Sequence, residues 1–153
     1  MDKLVYRDQA RYRYRVLEPS FIPFAATATR IAMQDAVVAH PFFKITKEGV
    51  FVKAEYAWDG ATGSLVQSEN LVVASLVHDI GCQAVNLKLL PRHLRRDFDY
   101  EYRQQALTYG VSPLRAEVHY AAISLWGLVP KSEGEAPYAK INTIDIRKGF
   151  IGV

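Results

Sequence analysis

The chain has 153 residues, half of them hydrophobic, and 19 Lys+Arg against 16 Asp+Glu give a formal net charge of +3. That length is one domain's worth, the apolar content excludes global disorder, and the mild charge falls short of the dense basic face of a dedicated nucleic-acid binder. Cys82 is the single cysteine, so a disulfide scaffold is excluded and synthesis in a reducing cytoplasm is expected.

The N-terminus is charged and has no long apolar region, so no signal peptide is expected. Residues 11–16 alternate strictly as a strand does, with Tyr12, Tyr14 and Val16 on one face and Arg11, Arg13 and Arg15 on the other. Residues 25–39 allow a short helix, against which Pro23 and the Thr27/Thr29 pair argue. Residues 42–58 read as a β-hairpin, because two runs rich in β-branched and aromatic residues flank the turn chemistry of Lys47-Glu-Gly. Ser68-Glu-Asn then offers capping chemistry before a helix from Leu71, with Val73, Leu76, Val77 and Ile80 on one stripe and an end or break at Gly81. A second helix starts at Pro91 and runs to about Tyr109, with Gly110 as its C-terminal cap and Leu94, Phe98, Tyr102, Gln105 or Ala106, and Tyr109 as its apolar stripe.

Ser112-Pro113 opens a third helix, expected to bury Leu114, Val118, Ala121, Ala122 and Leu125 and to stop at Gly127. From Pro130 the chain is polar, and residues 141–146 fit a last strand or an extended arm. The longest mainly apolar stretch, residues 120–129, is too short to span a bilayer. The order of strands, three helices and an extended tail is α+β. It implies one domain over residues 1–129 and a C-terminal arm over 130–153.

Three features carry candidate chemistry. His78-Asp79 lies off the apolar stripe of its helix, on either side of a face made by Leu71, Ser75 and Cys82. The imidazole can act as a general base and the carboxylate can hold a hard cation such as Ca²⁺. A hydrogen-bonded structural His beside a solvated Asp is the plainer alternative. Asp99 sits at the edge of the next helix's stripe, where it can reach His78 and fix its tautomer; alternatively it balances Arg95 and Arg103, each four residues away. Asp59-Gly-Ala-Thr-Gly63 can offer loop carbonyls to a cation or N–H groups to an oxyanion, or can be a tight turn. Lys88, Arg92, His93, Arg95 and Arg96 form a basic cluster that reads as a solvated face. His93 and His119 read as surface or edge residues, and Cys82 as a small core residue.

Taken together, Trp58-Asp-Gly-Ala-Thr-Gly, Val77-His-Asp, Asp99-x-x-Tyr102, Gly110 and Ala116-x-x-x-Tyr120 resemble an uncharacterised family found largely in bacteriophages and prophages. The resemblance spans residues 50–127. It departs from the family pattern at Cys82, where a tyrosine follows His-Asp, and at Phe98, where an alanine precedes the second Asp. The same residues are similar, more weakly, to the site of secretory-type phospholipases. That similarity implies His78 as base, Asp99 as its orienter, and Ca²⁺ held by Asp79 and Asp59 with carbonyls of Gly60 and Gly63. The expectation is a phage-encoded virion protein of the tail or head–tail region that carries a phospholipase-like site and contacts other virion proteins and further copies of itself. The alternative is a metal-assisted ester or phospholipid hydrolase acting at a lipid or cell-envelope surface. Nucleic acid is not expected as a partner, since the basic cluster lacks interleaved aromatics or a groove-binding helix.

Overall fold

The computed structural model describes residues 3–9, 14–34, 36–60, 69–126 and 138–145. In chain order its elements are β1 (Lys3–Gln9), β2 (Tyr14–Val16), β3 (Ser20–Pro23), α1 (Thr27–Ala32), β4 (Val38–Ala39), β5 (Phe43–Ile45), β6 (Gly49–Val52), β7 (Ala57–Trp58), α2 (Glu69–Asn86), α3 (Arg95–Thr108), α4 (Pro113–Trp126) and β8 (Tyr138–Asp145). The strands form two antiparallel sheets, ordered β7-β2-β1-β8 and β3-β6-β5-β4. The architecture is α+β, as the element order implies.

The expected hairpin exists as β5 and β6, with Ile45 opposite Val50 and Phe43 opposite Val52. Its last residues leave it. A turn containing Glu55, at φ +75°, redirects the chain, and β7 joins the other sheet opposite β2. This packs Trp58 against Tyr14 with ring centroids 5.2 Å apart, and Tyr14 against Tyr6 at 5.3 Å. The same turn changes the fate of Arg15. Alternation places it on the solvent face, yet it is buried, and its guanidinium donates to Glu55 at 2.8 Å. The alternation at Arg11, Tyr12 and Arg13 lies outside the described residues.

The stretch expected as a C-terminal arm becomes part of a sheet where it is described. Residues 138–145 form β8, which pairs antiparallel with β1 from Lys3 opposite Asp145 to Gln9 opposite Tyr138. The reason is that β1 offers an unpaired edge once β2 covers its other side, and the segment with Ile141, Thr143 and Ile144 supplies β-branched, strand-forming residues. Ile146, Phe150 and Ile151 lie outside the described residues, as does the helix stop at Gly127.

Helix α2 runs through Gly81 rather than ending there. A Cβ at position 81 would lie 2.2 Å from the ring of Phe98, so this glycine permits α3 to approach the middle of α2. The next helix starts later than expected: Arg92–Leu94 form a 3₁₀ turn and α3 begins at Arg95. Of its expected stripe, Leu94, Phe98, Tyr102 and Ala106 are buried and Tyr109 is half-buried. Gly110, at φ +92°, follows the end of α3, and the carbonyl of Tyr109 accepts a hydrogen bond from Asn70 Nδ2 at 2.6 Å. Helix α1 is shorter than the expected span and has no side-chain cap of its own. Instead the buried Glu101 of α3 accepts from the N–H groups of Ala25 and Ala26 at 2.8 and 2.9 Å.

Two hydrophobic clusters result. The larger joins both sheets to one side of α2 and α3 through residues such as Val52, Trp58, Leu76, Ile80 and Phe98. The smaller joins α2, α3 and α4 through Leu71, Tyr102, Ala106, Ala116 and Ile123. In α4 the expected burial is corrected. Leu114 is 78% exposed, Val118 53% and Leu125 76%, Ala121 is exposed and Ala122 half-buried, while Ala116, His119 and Ile123 face inward.

Candidate functional site

The seam between α2 and α3 brings the candidate residues together. His78 and Asp79 are 4% and 7% exposed on α2, and Asp99 is 5% exposed on α3. Gly81 lets the two helices approach closely, so the side chain of Asp99 bridges the seam. His78 Nε2 donates to Asp99 Oδ1 at 2.6 Å, the short distance of a charge-assisted bond. Asp99 therefore contacts His78 and, among the described residues, forms no ion pair with Arg95 or Arg103; the latter pairs with Glu117 of α4.

The other ring nitrogen of His78 faces Asp79, whose Oδ1 lies 4.0 Å from Nδ1. Tyr102 of α3 packs edge-on against the imidazole with centroids 5.7 Å apart. The hydroxyl of Tyr102 in turn donates to Nδ1 of His119, 3.1 Å away. Burial and the Arg115 charge hold the His119 pKa below its ordinary value, which leaves the ring neutral and Nδ1 able to accept. His119 is thus a buried member of this polar network rather than a surface residue.

Burial by itself pulls the pKa of His78 down. The Cys82 sulfur, the bond to Asp99 and the Asp79 carboxylate overcome that pull and push it up to about 10. At neutral pH His78 is an imidazolium clamped to a carboxylate. Both charges are out of water, so each depends on the other.

Cys82 joins the group. One helical turn beyond His78, its Sγ lies 3.5 Å from Nε2 and 3.9 Å from Nδ1, and the residue is partly exposed. His78, Cys82 and Asp99 each place a ligating atom within 4.8 Å of the others, so the cluster could hold a metal ion. Among the described residues Asp79 and Asp59 belong to no such three-residue group. Sequence reasoning assigned Cys82 to packing; the spacing of four residues from His78, which places both on one helix face, was the available signal. Glu101 was missed as well, and no local pattern marks it, because its partners are 75 and 76 residues away.

The loop of Asp59 and Gly60 approaches α2 through its neighbour: Trp58 Nε1 donates to Ser75 Oγ at 3.0 Å, one turn before Asp79. Gly60 has φ +83°, a conformation that favours glycine. Gly63, with the rest of residues 61–68 and the capping Ser68, lies outside the described residues. In the basic cluster Lys88, Arg92, His93 and Arg96 are exposed, which fits a solvated face, but Arg95 is half-buried, with Nε and Nη2 out of contact with solvent and unpartnered. None of the helices among the described residues is long and apolar enough to cross a membrane. No protein-family model, curated protein or solved structure matches this chain.

Proposed function

We propose that the chain is a phage virion protein of the tail or head–tail region that works by assembly, with further copies of itself and with other virion proteins. The motif resemblance over residues 50–127 supports the phage setting. The observation that carries the assembly role is the apolar stripe of α4. Leu114, Val118 and Leu125 recur at spacings of four and seven residues and are 78%, 53% and 76% exposed. A stripe at this period is normally turned to a core, and contiguous exposed apolar surface marks contact sites. Strand β8 adds an outer sheet edge with which no described strand pairs, a surface suited to strand addition.

Sedimentation over a range of concentrations tests this reading. The native chain is expected to associate, and Leu114→Ser with Leu125→Ser is expected to abolish association while circular dichroism shows the fold retained. A native chain that stays monomeric, or association that survives both substitutions, counts against it.

A second reading is favoured by the 2.6 Å bond between His78 and Asp99. In it the chain is an ester or phospholipid hydrolase, with His78 as general base oriented by Asp99. Ca²⁺ would be held by Asp79 and Asp59 with the Gly60 and Gly63 carbonyls. A base must first lose its proton, and a pKa near 10 opposes that at neutral pH. Ca²⁺-dependent turnover of ester substrates that falls by orders of magnitude in a folded His78→Ala variant would establish it.

A further inference from the structure

We propose that His78, Cys82 and Asp99 form a binding site for a transition-metal ion of the zinc class, held across the seam between α2 and α3. The site is independent of the assembly role, and it competes with the hydrolase reading, because a metal-bound Nε2 leaves Asp99 no proton on that nitrogen to accept.

The donor set selects the ion. One sulfur, one imidazole nitrogen and one carboxylate suit Zn²⁺ and its neighbours. Ca²⁺ instead takes six to eight oxygens, and this cluster supplies a single carboxylate. Geometry agrees with the choice. With metal–sulfur and metal–nitrogen bonds of about 2.3 and 2.0–2.1 Å, a tetrahedral ion places those donors about 3.5 Å apart. Sγ and Nε2 are 3.5 Å apart.

Asp99 Oδ1 stands closer, at 2.6 Å from Nε2, because a proton lies between them. Replacing that proton with an ion opens the gap to about 3.4 Å at zinc bond lengths, a movement within reach of a carboxylate rotation. Binding takes Nε2 without its proton and Sγ as thiolate, and the displaced protons leave to solvent.

The surroundings match a metal centre on two further counts. A ligating histidine commonly donates its other N–H to a carboxylate, and Asp79 Oδ1 is a carboxylate oxygen near Nδ1, at 4.0 Å, which a side-chain rotation would have to bring into hydrogen-bond range. Three protein ligands leave a fourth position for water or another ligand, and Cys82, the partly exposed member, brings the cluster to the edge of the solvent.

Cobalt reports on such a site directly. Titrating Co²⁺ into the chelator-treated full chain is expected to produce a thiolate-to-cobalt charge-transfer band in the near ultraviolet and the intense visible bands of tetrahedral coordination. Cys82 is the single cysteine, so the charge-transfer band has one possible source. Zn²⁺ is expected to bleach both signals, and excess Ca²⁺ to leave them unchanged. Cys82→Ser is expected to lose the ultraviolet band while circular dichroism shows the fold retained. Asp79→Asn is expected to keep the band but weaken Zn²⁺ binding about 10–100-fold. Absence of the band in the native chain overturns the proposal, as does its persistence in Cys82→Ser or displacement of Co²⁺ by Ca²⁺.

Discussion

Helices α2 and α4 flank α3 and treat their side chains in opposite ways. Helix α2 buries polar groups: Ser75, His78 and Asp79 are all buried, beside Leu76, Val77 and Ile80. Helix α4 exposes apolar ones, Leu114, Val118 and Leu125. The difference follows from position. The sheets and α1 lie to one side of α2 and α3, and α4 packs on the other side through α3. A helix enclosed on several sides must satisfy its polar groups internally, which His78 does through Asp99, and Ser75 through Trp58 and the carbonyl of Val72. A helix touched on one side has faces to spare.

The most severe way to break this contrast is to strand one charge inside α2. Asp99→Ala leaves the buried His78 without its carboxylate, and urea denaturation is expected to show a loss of about 3–5 kcal/mol. The same pair gives a pH signature in chelator-treated protein. The His78 pKa is raised from 6.5 to about 10, so the stabilisation is complete below pH 6.5 and is lost as pH rises towards 10. Unfolding free energy should therefore fall across that window, and the part due to His78 should vanish in His78→Gln. A flat native profile would show that the imidazolium–carboxylate pair does not form.

Smaller effects sharpen the comparison. Gly81→Ala puts a methyl group into the ring of Phe98 and should cost about 1–3 kcal/mol by forcing α2 and α3 apart. A stability change below about 0.5 kcal/mol would mean that the helices cross less closely than described. Leu125→Ser, measured in protein dilute enough to be monomeric, should fall within that same 0.5 kcal/mol, although leucine-to-polar changes in a core are far costlier. A large loss there would mean that α4 is covered in the monomer.

The parts of the fold that were legible in the sequence are those carried by short-range signals. Turn chemistry at Lys47-Glu-Gly marked the β5–β6 hairpin, and Ser112-Pro113 marked the start of α4. Gly110 marked the end of α3. The candidate site was legible in its types, His78, Asp79 and Asp99, but not in its membership: Cys82 and His119 were assigned elsewhere. Gly81 misled for the same reason. A glycine in a helix is an ending by local propensity and a contact point only when another helix is known to lie against it.

By itself, then, the sequence determined the α+β order, the three long helices and the β5–β6 hairpin, because caps, turns and periodicity act over a few residues. Tertiary structure decided which faces were used. Periodicity places Leu114, Val118 and Leu125 on one stripe of α4 but is silent on whether a neighbour covers it. It also left open whether His78 and Asp99, 21 residues apart, would meet. That depended on the closeness of α2 and α3, which a missing side chain at Gly81 permits and the ring of Phe98 fills.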